Sequence, residues 1–235
     1  MVLIAFSWDD GAAEDLKLMD LSGKYNIPGI FFIPASNSER EVMSPAEIKI
    51  LSAQFEIGAH TYSHKYLTNI DLATAEQEIV TGKDFLEQML GRKTDHFCFP
   101  GGQYNDDLVC IARQHFSSAR TADTGAIIGK DSFLIRPAFH FYDRGRLSLL
   151  YNSARNNSLI FPAVLRNIFE DRYFELLKQV ITMLNNLKTT HKIIVWGHSW
   201  EIEQHSLWLG LEDFFQWLMK CYSQNLRTYS ELVHL

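Results

Sequence analysis

The stretch "VLIAFSWDDGAAEDL", residues 2–16, decides how the rest of the chain is read. Val2 to Phe6 is an apolar run, and Val2–Trp8 has the composition of a buried strand. It ends abruptly on two adjacent carboxylates, Asp9 and Asp10, followed by Gly11. Neighbouring acids repel each other and cost energy to desolvate, so a buried strand has no structural reason to finish on them.

Working outward, β-rich runs alternate with helical patterns along the chain. Strands are expected at Val2–Trp8, Gly29–Pro34, Phe55–His60, His96–Pro100, Ser117–Thr121, Phe133–Pro137 and Lys192–Gly197, with a last short one at Leu226–Tyr229. Helices are expected at Ala13–Tyr25, Asp71–Leu90, Asp106–His115, Tyr173–Leu187 and Leu207–Tyr222. Another opens at "SPAEIKIL", with Ser44 as N-cap, Pro45 in the first turn and Glu47 at the capping-box position. Such alternation predicts an α/β fold with a parallel sheet and crossover helices. About seven units without a linker make this a single barrel-like domain over 1–235, with residues 140–172 as an insertion or capping segment.

Composition narrows the partners. The 235 residues are 46% apolar with a net charge of −6, and no Lys/Arg-rich run points to nucleic acid. Three cysteines, Cys98, Cys110 and Cys221, have neither the number of a disulfide scaffold nor the spacing of a thiolate zinc site. No segment reads as a signal peptide or a membrane span, so the expected location is cytoplasmic. Asn156–Ser158 matches a glycosylation sequon, which without a secretory route reads as chance.

In a parallel barrel, chemistry collects at the C-terminal ends of the strands. There the sequence places Asp9 and Asp10, then His60 and His64 in "GAHTYSH", Pro100-Gly101-Gly102 in "HFCFPGG", and His198 in "IIVWGHSW". If "HTYSH" makes a helical turn, both imidazoles face one ion. Either aspartate could complete that ligand set, leaving the other as general base for water. His198 suits the acid that protonates a leaving group, and the glycines leave backbone N–H groups open to an oxyanion. Alone, Asp9-Asp10-Gly11 reads as a turn or helix cap, and His60 with His64 as coincidence; together at one pole they read as a site. The other histidines, His140 among them, read as structural or exposed, and Trp8 and Trp200 as rings that core packing or a sugar face would use.

The motifs "FSWDDG", "HTYSH", "CFPGGQYN" and "VWGHSWE" resemble those of the polysaccharide deacetylases, the NodB-homology group also called carbohydrate esterase family 4. The resemblance runs from Phe6 beyond His198. It implies a distorted (β/α) barrel and a metal-dependent hydrolase that removes acetyl groups from an N-acetylated amino sugar or polysaccharide. It further implies Asp9 as base, Asp10, His60 and His64 as metal ligands, His198 as acid, and Gly101 at the oxyanion. Tyr104 and Trp200 fall where substrate would bind. One divalent cation is expected, zinc first, with cobalt, nickel, iron(II) or manganese suited to the same donors.

Two departures stand out. Many members carry an arginine that steadies the base where this chain has Cys98; Arg120 and Arg136 are the candidates to replace it. The acidic partner of the catalytic histidine has no clear motif, with Asp123, Asp143 and Glu201 as stand-ins. Competing readings are a metal-independent hydrolase of small cyclic amides and an inactive carbohydrate-binding protein on the same fold; retention of Asp10, His60 and His64 counts against the first.

Overall fold

The computed structural model describes residues 1–156, 158–170 and 172–235; the sequon, which includes Asn157, lies partly outside them. The central strand β1 (Val2–Asp9) pairs in parallel with β2 (Ile30–Ile33) on one side and with β7 (His191–Gly197) on the other. Beyond β2 come β3 (Glu56–Ala59), β4 (His96–Cys98) and β5 (Ser118–Arg120), and β7 carries β6 (Phe139–His140) at the far edge. The order is β5-β4-β3-β2-β1-β7-β6, all parallel.

Along β1 the side chains alternate between two apolar layers. Val2, Ile4, Phe6 and Trp8 pack outward under the helices, while Leu3 and Ala5 join Ile30, Phe32, Ile194 and Trp196 inside the curled sheet. That double burial explains the nearly unbroken apolar run, and the same parity turns Asp9 inward.

The two sheet edges are joined by one segment. Ile135 donates to the Ala119 carbonyl on β5, whereas Ala138 and Phe141 donate to Ile194 and Trp196 on β7. The strand expected at Phe133–Pro137 is therefore a single bridge at Ile135, and the ladder resumes at Phe139–His140. Pro137, with no N–H to donate, sits where the chain changes partner. The last expected strand is likewise one bridge, Leu226 to Ile4. Thr228 and Glu231 then form a capping box that starts a helix at Tyr229.

The crossover helices are α1 (Asp15–Lys24), α2 (Pro45–Ser52), α3 (Leu72–Leu90) and α4 (Asp106–His115). The Ser44–Glu47 capping box on α2 forms as its sequence predicts. Two helices, α5 (Arg146–Arg155) and α6 (Ile160–Arg166), occupy the segment before α7 (Tyr173–Asn185). After β7 come α8 (Ser199–Gln204), α9 (Trp208–Tyr222) and α10 (Tyr229–His234). No helix among the described residues is long and apolar enough to cross a membrane.

Helix α3 does more than cover the sheet, because it clamps the loop that follows β3. The Glu78 carboxylate accepts from the Ser63 N–H at 2.8 Å and its hydroxyl at 2.6 Å, and the Glu78 carbonyl accepts from the Tyr62 N–H. Gly82 permits this approach: a Cβ there would lie 2.4 Å from the Thr61 carbonyl carbon. Alanine at position 82 gains about 1 kcal/mol of helix propensity but forces this backbone apart. Gly82→Ala is expected to destabilise the protein by roughly 1–3 kcal/mol net in urea unfolding; unchanged or raised stability would contradict the clamp.

Candidate active site

The C-terminal strand ends converge on a pocket of about 230 Å³. Asp9, the last residue of β1, is buried at its base. The Arg120 guanidinium, from the end of β5, reaches both Asp9 carboxylate oxygens through Nη2 and holds the Thr121 carbonyl at 2.9 Å through Nη1. Burial alone would push the Asp9 carboxyl up, but Arg120, His60 and His198 together hold it below its ordinary value. Cys98 leaves room for this arrangement, with its thiol 3.5 Å from Asp9 Oδ2.

Asp10 faces the other way. Its backbone takes the left-handed conformation, φ 80°, which swings its side chain out of the strand's alternation. Oδ1 lies 3.1 Å from His64 Nε2 and 3.6 Å from His60 Nε2. Oδ2 accepts from the Trp200 indole N–H at 3.0 Å and lies 3.4 Å from Arg40 Nε. Burial acts to raise the Asp10 carboxyl, but its bonds with His60 and His64 outweigh it and hold the group far below the usual range.

The two histidines do not meet on a helical turn. Residues 60–65 form a tight irregular loop in which Thr61 and His64 have positive φ, 65° and 56°. Two left-handed residues fold the loop back on itself under the Glu78 clamp. His60 Nδ1 lies 2.7 Å from the Cys98 carbonyl; that carbonyl can only accept, so Nδ1 carries a proton and Nε2 is the nitrogen left to face Asp10 and the pocket. A carboxylate oxygen and two imidazole nitrogens within 4.8 Å of one another, one imidazole fixed as a donor to backbone, suit a divalent cation of borderline softness.

His198 follows β7 and points its Nδ1 at Glu201 Oε2, 2.6 Å away. The dyad spans one turn at the start of α8, an i,i+3 pair. Glu201 is also held by Arg144 Nη2 at 2.7 Å and lies 3.0 Å from His140 Nε2. Burial would raise the Glu201 carboxyl, yet the two histidines drive it well below its usual value. His140, expected to be structural or exposed, thus belongs to this cluster; burial lowers it to about 4, so it is neutral at pH 7.

Not every anticipated residue arrives. Arg136 contacts Asn156 and Asp123 instead of Asp9. Tyr104 packs on Phe99 away from the pocket wall, and Trp8 stacks on Phe141 in the core. Gly101 and Gly102 line the pocket with positive φ, 60° and 68°; a Cβ would strike Tyr66 at the first and Ala122 at the second. Glu39, Arg40, Tyr66, Ala122, Arg144 and Trp196 complete the walls, none of them expected from the sequence as a site residue.

The molecule is thus a seven-stranded α/β barrel with a carboxylate–imidazole cluster at the C-terminal pole. The family profile described as polysaccharide deacetylase matches residues 2–116, just under half of the chain. Over 115 residues the chain is 30% identical to a peptidoglycan-N-acetylglucosamine deacetylase of Bacillus cereus, covering 48% of this chain and 52% of the relative. The chain therefore spans about half the length of that curated relative. Among solved structures, the peptidoglycan N-acetylglucosamine deacetylase Bc1960 superposes with a TM-score of 0.60 at 15% identity, over 99% of this chain and 88% of its own. The Xyl-CE4 domain of a xylanase from the hindgut metagenome of Trinervitermes trinervoides gives 0.59 at 14%, over 99% and 89%. At these identities the two structures speak for the fold alone.

Beside the site, Asp15 is fully buried at the first turn of α1, and neither carboxylate oxygen makes a well-formed hydrogen bond. Burial above all pushes it well above its ordinary value; Ser199 acts the other way, and the carboxylates of Asp10, Glu14 and Asp9 add to the rise. In the unfolded chain this acid ionises near about pH 3.9; in the folded protein it keeps its proton to higher pH. Its stabilising share is complete at low pH and lost as pH rises through the folded value. Asp15→Asn mimics the neutral acid and is expected to raise the urea midpoint at neutral pH but not near about pH 3. An unchanged or lowered midpoint at neutral pH would refute a protonated Asp15.

Proposed function

We propose that the protein is a metal-dependent hydrolase that removes acetyl groups from an N-acetylated amino sugar or polysaccharide. The observation that carries this reading is the division of labour between adjacent carboxylates: Asp9 is paired with Arg120, and Asp10 is clustered with His60 and His64.

Asp10, His60 and His64 would hold the cation, zinc by the character of the donors. Bound there, a divalent cation supplies a Lewis acid that polarises the acetyl carbonyl and makes nearby water more acidic. Asp9 stays ionised beside Arg120 and takes a proton as water adds to the carbonyl carbon. Arg120 fixes the Asp9 carboxylate through both oxygens, the role that the resemblance gives to the arginine replaced by Cys98. Gly101, lacking a side chain, would offer its own backbone N–H to the oxyanion; the N–H groups of Gly102 and Gln103 are already given to the Phe99 and Pro100 carbonyls. His198 Nε2 gives a proton to the departing amine, and acetate leaves. Glu201 orients the ring and stabilises the charge it carries when both nitrogens are protonated. Trp200 holds Asp10 Oδ2 with its N–H and offers its ring to the pocket.

Cys98, where many members of the family carry the arginine, would favour an inactive carbohydrate-binding protein, but Arg120 at Asp9 removes much of that force. The test is acetate release from N-acetylglucosamine oligosaccharides. Release is expected with zinc, lost on chelation and restored by re-addition, with kcat in His198→Ala lowered about 10²–10⁴-fold. No release with any of the five candidate metals would overturn the reading.

A further inference from the structure

A second cavity of about 240 Å³ lies beside the catalytic pocket and shares Ala122, Arg144 and Trp196 with it. None of the groups assigned to the reaction needs this space. Its wall includes Tyr142 and the start of α5 at Gly145 and Ser148, all beyond the region that the family profile matches. The chamber is therefore built from this chain's C-terminal half and is divided from the site only by the three residues that line both.

Its charges are unevenly spent. The Asp143 carboxylate accepts from the Gly145 N–H at 3.0 Å and from Arg146 Nε at 3.1 Å, so its charge is answered within the loop. His140 is neutral at pH 7. Arg144 gives one N–H to Glu201, and no other hydrogen-bond acceptor meets its guanidinium among the described residues. Its side chain is 48% exposed, so the remaining donors can be reached. Arg40, across the pocket, is already engaged by Asp10 and Glu39. Helix α5 starts at Arg146, and its N-cap, Gly145, supplies no side-chain hydrogen bond, which adds partial positive charge on the same wall.

A planar guanidinium with spare donors, set where two cavities meet, matches the geometry of a carboxylate or phosphate. We propose that the chamber binds an anionic substituent of the acetamido sugar whose acetyl group occupies the catalytic pocket, with Arg144 as the residue that reads it. This rests on the deacetylase reading and narrows its substrate class.

The experiment compares kcat/KM for acetate release by zinc-loaded protein on N-acetylglucosamine, N-acetylmuramic acid and a phosphate ester of N-acetylglucosamine. Wild type is expected to prefer at least one anionic sugar by about tenfold or more, the scale of a charged hydrogen bond. In Arg144→Gln the preference should fall to within about twofold, with Arg144→Lys in between. Because Arg144 also touches Glu201, only the anionic-to-neutral ratio counts; a disturbed His198 lowers all three rates together. The carboxylate and phosphate arms identify which anion is read. Equal rates in wild type, or a preference that survives Arg144→Gln, would overturn the proposal and leave the deacetylase standing. Acetate from none of the three sugars, with release from N-acetylglucosamine oligosaccharides intact, would overturn this proposal alone; release from neither would overturn the deacetylase reading, and this proposal with it.

Discussion

Two carboxylates cannot stay ionised side by side at the end of a buried strand unless each finds its own counter-charge. The structure meets this constraint by splitting them. Asp9 keeps the strand's alternation and turns inward to Arg120, while Asp10 leaves it through a positive φ and turns to His60, His64 and Trp200. The surrounding parts follow from that split. β5 must end where Arg120 reaches β1, the loop after β3 must fold tightly, and α3 must hold it from behind.

Much of this was legible in the sequence because its causes are local. The apolar run into Asp9-Asp10 announced a buried strand with a site at its end, and the Ser44–Glu47 box announced the start of α2. His60 and His64 were readable as a pair, but not the way they meet. A helical turn is the default for that spacing, and the left-handed Thr61 and His64 replace it because Glu78 and Gly82, on another element, fix the loop.

The parts that stayed hidden depend on long-range placement. Arg120 meets Asp9 across 111 positions of chain, and Arg136 was as good a candidate until the sheet order put β5 beside β4 and sent the next segment elsewhere. Pro137 carried a usable signal for that change of partner, since it could not have continued the ladder. Glu201 carried one too, as an acid three positions after His198 at a helix start. Arg40 and Arg144 gave no such sign, because both sit in loops whose approach to the pocket no periodicity records.

The central claim is that neighbouring aspartates do different work, and the direct measurement is metal content per chain alongside acetate release for Asp9→Asn and Asp10→Asn. The account predicts that Asp9→Asn keeps about one equivalent of transition metal and loses turnover, while Asp10→Asn loses the metal and turnover together. Metal lost in Asp9→Asn and retained in Asp10→Asn, or retained equally in both, would contradict it.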